Sequence, residues 1–155
     1  ERLRIVLRLL QPEVGDPDLV TVALKVPAGV ICLISALAHH ELTTQIPHEV
    51  SVALSRHTEY PRIRFPPIHA YWFSSASMLA GVDVHPIDGV PVRIFSPEKT
   101  IADCFKYRNK LGLDAALEGL RLYCKRGRPN LDDVMRYAKI DRVQNVILPY
   151  LKAIL

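Results

Sequence analysis

The sequence predicts an α+β fold, with a largely antiparallel sheet over roughly residues 45–95, packed by helices, and a helical C-terminal third. Three observations predict it. Short apolar segments with alternating or β-branched character, punctuated by proline, concentrate in residues 45–95. Two of them flank Asp88-Gly89, a pair suited to the positive φ angles of a type I′ hairpin turn. From Ser96 onward the spacing of apolar residues becomes helical and cap residues recur. Strands and helices segregated in this way favour helices packed on one side of a sheet.

Each element follows from local chemistry. Arg2–Leu10 is apolar with interspersed arginines and reads as a strand or a short helix, and Gln11–Pro17 reads as a linker. The chain begins at Glu1 without methionine, as expected of a piece of something longer. Asp18 is the expected N-cap of a helix over Leu19–Lys25, stopped near Pro27. A second helix is expected over Val30–His40. Its residues are apolar nearly all round, which predicts burial. A turn over Thr43–His48 precedes a strand at Glu49–Leu54, and Arg62–Phe65 and Ala70–Phe73 are expected as short strands among Pro61, Pro66 and Pro67. Ser74 or Ser75 can cap a short helix ending at Gly81. Val82–Ile87 and Val90–Phe95 form the hairpin around Asp88-Gly89.

The strand then breaks into a helix. Ser96 supplies a capping oxygen, Pro97 tolerates the first helical position, and Glu98 complements the positive helix end. That helix is expected to run to a positive-φ cap at Gly112, with Lys106, Arg108 and Lys110 near its negative end. Helices over Leu113–Lys125, Leu131–Ala138 and Asp141–Leu155 follow, the second capped by Asn130 and the last bent near Pro149.

Composition bounds the function. A chain of 155 residues with 49% hydrophobic content can bury a real core. The net charge of +4 arises entirely in residues 79–155, which hold thirteen Lys/Arg against nine Asp/Glu, whereas residues 1–78 balance at seven each. Such a half could meet nucleic acid or an acidic protein, or be a solvated helix face. Cys32, Cys104 and Cys124 form no CxxC pair, and their odd number and helical settings suggest buried free thiols in a reducing, cytoplasmic setting. The longest nearly apolar run, Val26–Ala38, is too short to cross a bilayer, so no membrane partner is expected.

Few residue patterns in the chain carry chemistry. His39 and His40 are adjacent, so on a helix they point about 100° apart and suit one ion poorly. His48, His57, His69 and His85 stand singly, with no HExxH or Cys/His spacing, and no metal or other cofactor is expected. No GxSxG elbow, P-loop or GxGxxG occurs. Asp88 precedes Glu98-Lys99, but the acidic and basic residues are adjacent at a helix start, which is the wrong spacing for a metal-dependent nuclease. Cys104 reads as a buried thiol, and Asp103 as a partly buried carboxylate paired with Lys99 or Lys106. What remains is cationic: Lys106, Arg108, Lys110, Lys125, Arg126 and Arg128, continued by Arg136, Lys139 and Arg142, with Tyr107 and Tyr123 interleaved. Phosphate contacts need cations and little else, so the first six are the candidate DNA- or partner-binding residues.

Three blocks carry a resemblance: Val30–Thr44, Ile46–Val50 and the long block Ile87–Asp114, with Ile87-Asp-Gly-Val-Pro-Val-Arg-Ile-Phe-Ser-Pro-Glu-Lys-Thr-Ile-Ala-Asp103 at its heart. They resemble the C-terminal domain of AbiEi-type antitoxins, transcriptional regulators of type IV (abortive infection) toxin–antitoxin systems. The resemblance covers roughly residues 18–152. It implies a domain over residues 18–155, with residues 1–17 a linker or the remnant of a preceding winged-helix wing. The winged helix–turn–helix, which in the family binds operator DNA and represses the operon, is expected to be absent from this chain. The family implies no catalytic residues. It implies an antitoxin and repressor that counteracts a nucleotidyltransferase-like toxin, functionally or by direct contact, and binds operator DNA through the full-length protein. The alternatives are a nucleic-acid-processing enzyme, an unrecognised or degenerate nuclease, and a protein-interaction module.

Overall fold

A computed structural model describes residues 15–155. The Arg2–Leu10 segment, and the linker or wing remnant as far as residue 14, lie outside the described residues. The first helix, α1 (Pro17–Lys25), is capped by Asp16, whose Oδ1 accepts the Asp18 N–H at 2.9 Å. The expected cap at Asp18 is therefore displaced by two residues. Pro17 takes the first helical position, where an N–H is not needed, and Asp18 falls in the acid-favouring first turn.

The largest departure from expectation comes next. Val30–Ile31 is a strand, β1, and only then does α2 (Leu33–His39) begin, so the single helix expected over Val30–His40 is divided. Tertiary pairing overrides the local pattern. β1 is the central strand, antiparallel to β2 (Val50–Ser55) through Val30↔Ala53 and parallel to β5 (Val90–Phe95) through Ile31↔Ile94. Both its residues are β-branched and buried. β3 (Ile68–Phe73) lies parallel to β2, and β4 (Val82–Ile87) antiparallel to β5, giving the order β3-β2-β1-β5-β4. The fold is thus α+β, with a five-stranded mixed sheet. Arg62–Phe65 forms no strand and is irregular. Flanking prolines lack the N–H that a ladder requires.

The hairpin forms as its sequence demands. Asp88 (φ 51°) and Gly89 (φ 77°) both take positive φ, and Ile87 pairs with Val90 across them. Between β3 and β4, Ser74 caps α3 (Ser75–Leu79). After β5, the Ser96 Oγ accepts the Lys99 N–H at 3.2 Å and opens α4 (Pro97–Lys106). The helix expected to reach Gly112 breaks at Tyr107. A separate turn, α5 (Arg108–Leu111), precedes Gly112 at φ 90°. α6 (Leu113–Cys124), α7 (Leu131–Ile140) and α8 (Gln144–Ile154) complete the chain, and Asn130 caps α7. α8 starts three residues later than expected, because Asp141–Val143 connects it to α7, with Arg142 at φ 60°. No described helix is long and apolar enough to cross a membrane.

The sheet buries both faces. One carries Ala53, Phe73 and Phe95 against α4 and the helices behind it. The other carries Val52, Leu54, Val92 and Ile94 against Leu19, Val22 and Val26. The C-terminal helices therefore lie on one face as expected, while α1 closes the other.

Within the first core sits an ion pair. Lys99 Nζ donates to both oxygens of Asp103 at 2.8 Å, and both side chains are fully buried. The ammonium lies 4.0 Å from the Phe95 ring centroid and 5.0 Å from that of Phe73, two rings stacked nearly parallel. Gly81 (φ 72°) is needed beside it, since a Cβ there would come within 2.6 Å of the Lys99 Cβ. The buried Asp141 carboxyl accepts a 2.7 Å hydrogen bond from Ser77 Oγ on its Oδ1, while its Oδ2 is buried without a hydrogen-bond partner among the described residues. Burial pushes Asp103 well above the usual carboxylate range, against the pull of Lys99 and with a further push from Asp141.

Lys99→Met should cost about 3–5 kcal/mol of unfolding free energy, because it strands buried carboxyls without their cation. The double change Lys99→Met/Asp103→Asn should recover part of that loss, since the neutral amide keeps the shape of the carboxylate and removes one of the stranded charges. Urea denaturation of the three proteins checks both. A double variant as unstable as Lys99→Met would show that the pair itself, and not the uncompensated charge, dominates.

Candidate functional site

Asp103 and Cys104 are spent inside the fold. Asp103 is closed on Lys99, and Cys104 is fully buried one residue on, its thiol pushed well up by burial first and the Asp103 charge second. Cys32 is likewise buried and pushed up. Asp88 is exposed at the tip of the β4–β5 turn, and Glu98 is half-buried near the Tyr123 hydroxyl. Asp88, Glu98 and Asp103 thus occupy a hairpin tip, a helix face and a sealed core. The sequence predicts Asp103 to be partly buried with Lys99 or Lys106. Burial is complete, the partner is Lys99, and Lys106 instead donates to the Asp141 carbonyl at 3.4 Å.

Three histidines meet, although one stands far from the others in the chain. His39 and His40 end α2, His85 stands on β4, and their ring centroids lie 4.9–6.0 Å from one another. His40 Nε2 lies 2.7 Å from the Phe95 carbonyl oxygen and must donate to it, so the ring proton sits on that nitrogen. Arg126 donates to the His40 carbonyl and brings a positive charge to the cluster. His85 Nε2 is buried without a hydrogen-bond partner among the described residues. Burial first, then the neighbouring His39, His85 and Arg126 charges, lowers His40 to about 4 against the pull of the Phe95 carbonyl. Burial with His85 lowers His39. Among the described residues no three His, Cys, Asp or Glu side chains are placed to hold a metal ion. The nearby guanidinium would repel one.

The six candidate cations do not form one patch. Lys106, Arg108 and Lys110 surround the C-terminal end of α4 and the α5 turn. Arg108 is partly committed, its guanidinium donating to the Phe105 carbonyl at 2.8 Å. Lys110 is exposed and stands 5.8 Å and 6.0 Å from the Tyr107 and Tyr71 ring centroids, on an aromatic ledge continued by Phe73. Lys125, Arg126 and Arg128 follow α6, which runs back along α4. Arg126 reaches the α2 end beside Phe95, at the opposite end of α4. Ten helical residues, about 15 Å, separate the two groups along the axis. Lys125 and Arg128 are exposed, with no carboxylate within salt-bridge distance among the described residues.

Sequence reasoning missed the partners brought in from far along the chain. Asp141 reads in the sequence as the first residue of a helix, and Ser77 lies 64 residues from it. His85 meets His39 and His40 only because the hairpin folds beside α2. No local signal encodes either meeting. No protein-family model matches the chain, and no curated protein matches it in sequence.

The histidine cluster predicts a pH dependence. The unfolded chain protonates His40 near 6.5, whereas the fold resists until about 4. Between those values the unfolded state binds more protons, so stability is full above the window and is lost as pH falls through it. His40→Gln, which can keep an N–H for the Phe95 carbonyl, should flatten the fall of Tm with pH across that window. Equal slopes in the two proteins would show that the ring is not held neutral by the fold.

Proposed function

We propose that residues 18–155 are the non-enzymatic C-terminal regulatory domain of an AbiEi-like antitoxin and transcriptional repressor of a type IV toxin–antitoxin system. In this reading it counteracts a nucleotidyltransferase-like toxin in the cytoplasm and supports autoregulation of its operon, with operator DNA bound by the full-length protein.

The observation that carries the reading is the division of labour along α4. Its acid and thiol, Asp103 and Cys104, face the sealed core, while Lys106 at its last position and Lys110 of the following α5 turn are exposed to solvent. A helix built in this way offers contact and withholds chemistry. This same helix is the centre of the Ile87–Asp114 block that resembles the family. Lys106 and Lys110 stand exposed at one end of α4, whereas Arg126, about 15 Å away along the helix, is committed to the His40 carbonyl, so phosphate contact falls to the first group.

In full-length protein bound to its own promoter DNA, Lys106→Ala and Lys110→Ala should each lower the slope of log K against log salt, by about one unit for every phosphate the lysine neutralises. Arg126→Ala should mainly lower thermal stability, because its guanidinium is engaged with the His40 carbonyl. An unchanged salt slope in the lysine variants would remove α4 from the DNA-binding surface. The enzymatic alternative has a direct test in the same preparation. Nucleic-acid cleavage dependent on Mg²⁺ or Mn²⁺ and abolished in Asp88→Ala, or in an Asp103→Asn chain that keeps its native circular dichroism, would overturn the non-enzymatic reading.

A further inference from the structure

α6 and α8 pack side by side and leave a surface cavity of about 440 Å³ between them. Its floor is apolar, made by Leu117 and Cys124 of α6 and by Tyr150 and Ile154 of α8, all half-buried. Its rim is cationic. Arg121 and Lys125 line it from α6, both exposed, four residues apart and therefore one helical turn from each other. Neither has a carboxylate within salt-bridge distance among the described residues. The acidic residues of α6, Asp114 and Glu118, do not line this cavity, and Glu118 is bonded to the Thr44 N–H and hydroxyl at 2.8 Å and 3.1 Å.

We infer that this groove is a docking site for an acidic amphipathic helix of a partner protein. The geometry is that of helix-in-groove recognition, in which apolar anchors at i, i+3, i+4 and i+7 enter the floor. Carboxylates one turn apart on the flank of that helix would meet Arg121 and Lys125, which lack such partners in the fold. A nucleic acid fits less well, because a phosphate backbone drawn to the rim would lie over an apolar floor that it cannot use. A second copy of the chain also fits less well. A twofold interface places each face against itself, which would bring four cations together. The inference does not depend on the antitoxin reading and concerns a face other than the α4–α5 end.

Cys124 provides a built-in reporter. It lines the groove and is half-buried, whereas Cys32 and Cys104 are fully buried and serve as internal controls for unfolding. The full 155-residue chain is alkylated with N-ethylmaleimide at mildly alkaline pH, and modification of each cysteine is followed by mass spectrometry. A synthetic helical peptide with leucine at i, i+3, i+4 and i+7 and flanking glutamates should slow Cys124 modification at least fivefold. The same peptide with lysines for glutamates should not. In the charge-reversed Arg121→Glu/Lys125→Glu chain, checked for native circular dichroism, the preference should invert. The inference is overturned if the acidic peptide gives no protection, if both peptides protect equally, or if protection by the acidic peptide survives charge reversal. It is equally overturned if a short DNA duplex protects as well as the acidic peptide, or if the chain self-associates and shields Cys124 unaided.

Discussion

Lys99 and Asp103 meet where no water reaches them, and three layers of the fold are arranged around that meeting. The sheet contributes Phe73 and Phe95, whose faces receive the ammonium. α4 holds both charges one turn apart, so the pair forms as soon as the helix does. Ser77 of α3 and Asp141 after α7 close the remaining side. A buried pair of this kind is weak evidence for added stability, because desolvation consumes much of the Coulombic gain. Its importance lies in what it forbids. Because both charges ride on α4, a packing that moves the helix keeps the pair but takes the ammonium off the phenylalanine faces that receive it and leaves an ion pair against surroundings not shaped for it. The pair therefore fixes the seating of the helical layer on the sheet.

This constraint explains which parts of the fold can be read locally. The Asp88-Gly89 hairpin and the Ser96-Pro97 helix start depend on residues within a few positions of each other, and both form as their sequences predict. β1 cannot be read in the same way. Val30 and Ile31 continue an apolar run into α2, and only pairing with β2 and β5 makes them a strand. The break at Tyr107 has a similar origin. Its ring stacks on Phe73 and packs edge-on against Tyr71, and its hydroxyl donates to the Trp72 carbonyl at 3.3 Å. Tertiary contacts hold the residue where a helix would otherwise continue. The long-range partners, Asp141 for Ser77 and His85 for the α2 histidines, lie beyond any window of local pattern.

The candidate site shows a further limit of reading charge along a chain. The whole excess of +4 belongs to residues 79–155, which suggests one basic half. Folding distributes that excess by helix direction. α4 and α6 form a hairpin of helices, so cations near the C-terminal end of each appear at opposite ends of the pair. Some are then committed to structure. Arg108 closes the end of α4 on the Phe105 carbonyl, and Arg126 ties the segment after α6 to the end of α2. A count of basic residues overstates the surface available to a polyanion.

The cations that remain free differ in what surrounds them, and that difference separates two kinds of contact. Lys110 stands over tyrosine rings at the hinge between α4 and α5, and with Lys106 nearby its surroundings are aromatic and open. A phosphate can approach there without displacing packed apolar groups. Arg121 and Lys125 instead border an apolar groove, where a ligand gains only if it covers the floor as well as neutralising the rim. Phosphate binding would draw on the first environment, and an amphipathic helix on the second. Because the two lie on different elements, disabling one should leave the other intact.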